Sequence, residues 1–169
     1  MYLVRKVTRA KWERTEQLDD DEIPADAVTA DLRTTNNALS LWSCADPTGE
    51  QLNDAILALV AGSERVDKID VVWIKRQAFV DAVEVQESQG RTPVADLVDR
   101  HRDAVRLDYG RLGLFAKQIV AALKDDRVKR LTKKKVAQLI ASAVKANRLN
   151  LDALEDRVKA EVQKHLGSD

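Results

Sequence analysis

Apolar positions recur along this chain at two different spacings. Before residue 90 they fall mostly in short runs with a period near two, as strands require; after it they return every three or four residues, as helices require. Tyr2–Val7 reads as a first strand, rich in aromatic and β-branched residues. Residues 9–16 predict a short helix carrying Trp12, and residues 19–22 an acidic loop ended by Pro24. Residues 27–33 and 38–44 predict two strands joined at Thr34-Thr35-Asn36-Asn37. Asparagine tolerates the left-handed backbone of a tight turn, so a β-hairpin is expected there. In its second arm Ser40, Trp42 and Cys44 share one face and Leu39 and Leu41 the other, which leaves Trp42 in need of cover.

Asp46-Pro47-Thr48-Gly49-Glu50-Gln51 predicts a helix start, by an Asp46 cap before Pro47 or a Thr48–Gln51 capping box. Leu52, Ile56, Leu59 and Val60 follow at helical spacing until Gly62. Residues 68–74 read as a central strand, apolar on both faces, with Ile69, Val71 and Trp73 opposite Val72 and Ile74. Residues 76–88 support either period; Phe79, Val80 and Val83 favour a helix. Beyond Gln89-Gly90-Arg91 four helical stripes follow. They run through Val94, Leu97, Val98, Ala104 and Val105; through Leu112, Phe115, Ile119 and Leu123; through Val136, Leu139, Ile140, Ala143 and Val144; and through Leu151, Leu154, Val158, Val162 and Leu166. Asn150 is placed to cap the last helix, with Leu149 and Leu154 as a hydrophobic staple.

The expected architecture is α+β. A mixed platform at 1–89 holds a small mixed or antiparallel sheet with a helix packed on it. An all-helical region at 92–169 follows, ending in an antiparallel helical hairpin and packed on the platform as one compact unit.

Composition narrows the class. A chain of 169 residues with 44% hydrophobic and 33% charged residues can bury a real core and is too charged for a membrane span. The opening segment lacks the apolar run of a signal peptide, and the single cysteine, Cys44, makes no internal disulfide, so a reducing, cytoplasmic setting is expected. The 28 basic and 28 acidic residues balance, yet unevenly along the chain. Residues 13–31 carry eight carboxylates and one arginine, whereas residues 127–135 carry Arg127, Lys129, Arg130, Lys133, Lys134 and Lys135 with no acid. Such blocks are ordinarily solvated surface; they can also attract each other within one molecule or between two.

Familiar active sites are missing from the sequence. Six glycines form no phosphate-binding loop, His101 and His165 stand too far apart for a paired metal site, and no cofactor is expected. His101-Arg102-Asp103 has the letters of a kinase catalytic loop without that fold's other motifs, inside what reads as a helix. Asp70 with Lys75 only loosely suggests a metal-dependent nuclease, because no second carboxylate precedes the lysine. Cys44 reads as a buried hydrophobe. A loose set of Arg5, Arg33, Asn36, Asn37, Ser40 and Glu84 has the chemistry to hold a nucleotide pyrophosphate and ribose; Arg5, Ser40 and Glu84 are its weak catalytic candidates.

The basic block 127–135 can neutralise phosphates, with no aromatic residue after Phe115 to stack a base. The motifs weigh against an enzyme. The expectation is a protein–protein interaction module or an accessory or regulatory subunit, by a protein partner or self-association, with no membrane contact. Nucleic-acid-backbone binding through 127–135, or a nucleotide-using transferase or nuclease in the N-terminal half, are the alternatives.

Overall fold

The computed structural model describes residues 1–13, 22–79 and 81–167. Six strands form one antiparallel sheet: β1 (Tyr2–Val7), β2 (Leu39–Cys44), β3 (Ile69–Lys75), β4 (Glu84–Glu87), β5 (His101–Val105) and β6 (Val128–Leu131), in the spatial order β4-β5-β2-β1-β3-β6. The alternation read from the sequence assigns the faces correctly where it was recognised. Val4, Trp42, Cys44, Ile69, Val71 and Leu131 point to a first face; Leu3, Val7, Leu39, Leu41, Val72 and Ile74 point to the second. Both faces are buried, so the sheet is the middle of three layers.

The first face is covered by α3 (Gly49–Ala61), α5 (Lys133–Lys145) and α6 (Asp156–Leu166), with a 3₁₀ turn at Ala95–Arg100. The second is covered by α1 (Arg9–Trp12), α2 (Ala25–Asp31) and α4 (Tyr109–Lys124), with Phe79 from a 3₁₀ turn at Arg76–Phe79 stacked on Phe115 at 4.3 Å between ring centres. The stripes of α5 and α6 are spent internally, with Val136, Ile140, Val158 and Val162 almost fully buried. On the first face Asp54 of α3 accepts from Arg148 at 2.9 Å and pairs with Arg100 at 3.2 Å, while Arg148 also holds Asp96 at 2.6 Å. This ionic clamp ties the connection after α5 to α3 and the 95–100 turn.

Four expectations are corrected. Residues 27–33 do not form a strand. Ala27 and Asp31 are one helical turn apart and share the buried side of α2, so the 34–37 turn closes no hairpin. The turn itself exists: Asn36 and Asn37 take φ of 52° and 56°, next to an isolated Thr35–Ala38 bridge. In 76–88 the alternating period wins, and β4 follows the Arg76–Phe79 turn. The C-terminal half is not all-helical: β5 and β6 complete the sheet. β5 lies between β2 and β4, whose ladders satisfy its backbone groups on both sides, and residues 128–131 of the basic block pair with β3.

The ends of several elements also differ. Thr48 is the N-cap residue of α3, while Gln51 reaches back to accept from the backbone N–H groups of Ala45 and Asp46. Asn150 caps a short 3₁₀ turn at Leu151–Ala153, and α6 begins only at Asp156. The first helix is described to Trp12. The remainder of 9–16, and most of the acidic loop, lie outside the described residues.

Candidate binding cleft beside His101 and Asp103

The weak catalytic set does not converge. Alternation along β1 places Arg5 on the second face with Leu3 and Val7. There its Nε and Nη2 donate to the Asp31 carbonyl at 3.1 and 2.6 Å, and Nη1 donates to the Ser40 carbonyl at 2.7 Å. Burial lowers the Arg5 pKa from its ordinary value, and Asp31 opposes the shift. The Asp31 carboxylate is itself saturated, accepting from the Thr8 N–H at 2.6 Å, the Thr8 hydroxyl at 2.9 Å and the Trp12 indole at 2.7 Å. This corner is a structural clamp joining β1, α1 and α2. Ser40 and Glu84 instead project from the first face. Glu84 pairs with Arg106 at 3.4 Å and accepts from Gln86 at 2.6 Å. Arg33, Asn36 and Asn37 are exposed around the loop before β2.

Most of the basic block is engaged within the molecule. Arg127 donates to the Trp73 carbonyl and to Asp125, Lys129 donates to Asn53 at 2.8 Å, and Lys133 pairs with Glu161 at 3.2 Å. Arg130 grips Asp70 with two bonds, at 2.6 and 3.1 Å. Asp70, by hydrogen bond and then by charge, raises the Arg130 pKa, and Glu13 adds to it. Lys134 and Lys135 are exposed in the first turn of α5, with no ion-pair partner among the described residues. Asp70 is thus a structural ion-pair residue, and Lys75 is exposed at the end of β3. Cys44 is buried, which raises its pKa to about 11 and leaves a protonated thiol near neutral pH.

The polar convergence lies elsewhere. Ser40 and Trp42 of β2 stand opposite Asp103 and His101 of β5, so cross-strand register brings all four to the first face at the sheet's far side. They line an open cleft of about 360 Å³, completed by Ala58, Leu59 and Gly62 of the α3 end and by Gln89 and Arg91. That volume is within the range of small-ligand sites. The Ser40 hydroxyl donates to Asp103 Oδ1 at 3.2 Å, and Asp103 Oδ2 lies 3.9 Å from His101 Nδ1. Ser88 Oγ shares a 2.7 Å hydrogen bond with the same Nδ1, and the Trp42 ring meets the imidazole edge-on at 5.1 Å. Burial lowers the His101 pKa from its ordinary value, Asp103 opposes and Arg102 adds, so the neutral ring is favoured.

The wall of the cleft depends on a glycine. Segment 88–94 crosses the first face, held by Gly90 N–H donating to the Val98 carbonyl at 3.0 Å. A Cβ on Gly90 would stand 2.3 Å from Trp42 and 2.9 Å from His101, so no larger residue fits unless the indole moves.

Asp103 differs in kind from the three buried carboxylates among the described residues. Asp31 has three donors, Asp54 two arginines and Asp70 a bidentate arginine. Asp103, at 28% side-chain exposure, has one hydroxyl and a neutral imidazole beyond hydrogen-bond reach. Arg91 on the same cleft has no ion-pair partner among the described residues. Neither His101 nor Asp103 emerges as a pair while 92–105 is read as a helix. The signal that finds them is the alternation His101-x-Asp103 set against Ser40-x-Trp42 on a neighbouring strand. Comparison of the chain with protein-family models, with curated proteins and with solved structures gives no match.

Proposed function

We propose that the protein is a non-catalytic binding component, an accessory or regulatory subunit of a cytoplasmic assembly, whose recognition site is the first-face cleft. The observation that carries this is Asp103: a half-buried carboxylate in a concave site, with acceptor capacity its own protein does not use. The arrangement suits holding better than transforming. Ser88 and Asp103 both address Nδ1 of His101, whereas a proton relay needs the nucleophile on one ring nitrogen and the orienting carboxylate on the other. Arg5, the remaining catalytic candidate, is turned to the opposite face and bound to carbonyls.

Exposed Lys134 and Lys135 favour a second reading, binding of a nucleic-acid backbone at the α5 entry. One experiment separates the two. Tagged full-length protein is used for capture from a lysate of the producing organism, beside Asp103→Asn and the double variant Lys134→Ala, Lys135→Ala. The expected result is an identifiable protein partner kept by the lysine variant and lost by Asp103→Asn. Recovery of nucleic acid that disappears with the lysine variant, or in moderate salt, supports the second reading instead. A partner retained equally by all three proteins sinks the assignment to the cleft.

A further inference from the structure

We infer that the cleft binds a small zwitterion, an ammonium and a carboxylate on one compact ligand with a modest apolar side chain: a free amino acid. The inference rests on the cleft being a recognition site and goes on to name what it recognises.

The charges argue for it first. Asp103 and Arg91 line one cavity; among the described residues Arg91 has no ion-pair partner, and Asp103 has only the His101 imidazole, with Oδ2 3.9 Å from Nδ1. A ligand with only a cation would satisfy Asp103 and be repelled by Arg91, and a ligand with only an anion would meet the reverse. One bearing both charges makes a charge-assisted bond at each end. Burial of His101 disfavours a competing cation beside Asp103.

The donors and acceptors fit the same assignment. An ammonium has three protons to give. Among the described residues Asp103 Oδ2 has no closer partner than His101 Nδ1 at 3.9 Å, Oδ1 holds one hydroxyl, and Ser40 Oγ keeps acceptor capacity after donating to it. A guanidinium is a planar fork matched to a carboxylate, and Arg91 and Gln89 both line the cleft. Ala58 and Leu59 supply an apolar wall for a side chain. Trp42, only 5% exposed and covered by Gly90, shapes the floor and offers no open ring face on which a base or sugar could stack.

The test uses the full chain and L-leucine as the probe, followed by calorimetry and by the His101 imidazole proton shifts. N-acetyl-L-leucine lacks the ammonium and L-leucinamide lacks the carboxylate. Saturable binding of L-leucine is expected, with each derivative at least tenfold weaker, because each leaves one charged group of the cleft unanswered. Asp103→Asn and Arg91→Ala should each weaken L-leucine by a similar factor, while Arg111→Ala, away from the cleft, should not. Circular dichroism and urea melts check that the variants fold.

Absence of any shift into the millimolar range overturns the inference, as does equal binding of leucine and its derivatives. Tighter binding of a non-zwitterion such as ribose 5-phosphate overturns it too. Its failure is distinct from that of the binding role: a protein partner still lost on Asp103→Asn would leave the cleft a recognition site for something else.

Discussion

The corner around Asp31 and the cleft around Asp103 lie on opposite faces of one sheet, and each is built from a carboxylate, a tryptophan and a hydroxyl. They differ in how far the carboxylate is satisfied. Asp31 accepts from the Thr8 backbone, the Thr8 hydroxyl and Trp12, with Arg5 bound to its own carbonyl. Among the described residues Asp103 accepts from Ser40 alone within hydrogen-bond reach. A buried carboxylate is costly unless hydrogen-bonded, so the first arrangement holds the fold together. The second, with water able to reach it, holds capacity in reserve. Complete satisfaction marks structure here, and incomplete satisfaction marks a place for something to bind.

The sharpest way to break this comparison is to remove Asp31. Asp31→Ala strands the Trp12 N–H and the Thr8 N–H without acceptors in a buried corner, and a loss of about 3 kcal/mol is expected. Urea unfolding read by tryptophan fluorescence measures it. A loss below about 1 kcal/mol would mean that the corner is not a clamp, and the contrast with Asp103 would collapse.

Next in size is Gly90→Ala, which acts on the cleft side by sterics alone. Its methyl group would collide with the Trp42 ring, so about 1–3 kcal/mol of destabilisation is expected, with the Trp42–His101 contact displaced. The same urea titration measures the first, and the His101 proton shifts the second. A fully stable Gly90→Ala with unchanged His101 shifts would show that the wall yields freely and that the cleft has no set shape.

These two positions also show what was readable in the sequence. Strands with strong alternation announced themselves: β1, β2 and β3 were legible, as was the need to cover Trp42, met by the α3 side of the sheet. The stripes of α3, α4, α5 and α6 were legible for the same reason. The short strands β4, β5 and β6 were not. Four or five residues such as HRDAV or VKRL carry too few apolar positions to separate a period of two from one of 3.6, and their strand character comes from neighbours far away in the chain. The cleft was lost with them, because the pairing of Ser40 with Asp103 exists only once β5 lies beside β2. Residues Arg5 and Ser40 looked like partners and do meet, but through a backbone carbonyl.

A smaller effect sharpens the comparison from its other side. Asp103→Asn keeps the shape of the side chain and loses chiefly the charge, whose one described hydrogen bond comes from the Ser40 hydroxyl at 3.2 Å. The expected change in stability is under about 1 kcal/mol. That value, set beside about 3 kcal/mol for Asp31→Ala, would separate the two carboxylates by their roles. A loss as large as that of Asp31→Ala would place Asp103 among the structural groups and remove the case for a reserved binding capacity.

The smallest effect is a pH dependence centred on His101 of the cleft. Burial depresses the folded-state pKa of His101 below the unfolded value of about 6.5, so on acidification the unfolded chain takes up the proton first. Stability is therefore fully present above about pH 6.5 and falls as pH drops from there through the folded value. Asp103 opposes the shift and Arg102 strengthens it. Urea midpoints of the wild type and His101→Gln, compared between about pH 7.5 and 5.5, isolate the term: the wild type should lose stability over the interval and the variant should lose less. Equal slopes would mean that the imidazole takes its proton as easily folded as unfolded. His101 would then be a cation beside Asp103 in mild acid, and the open charge in the cleft would have a partner after all.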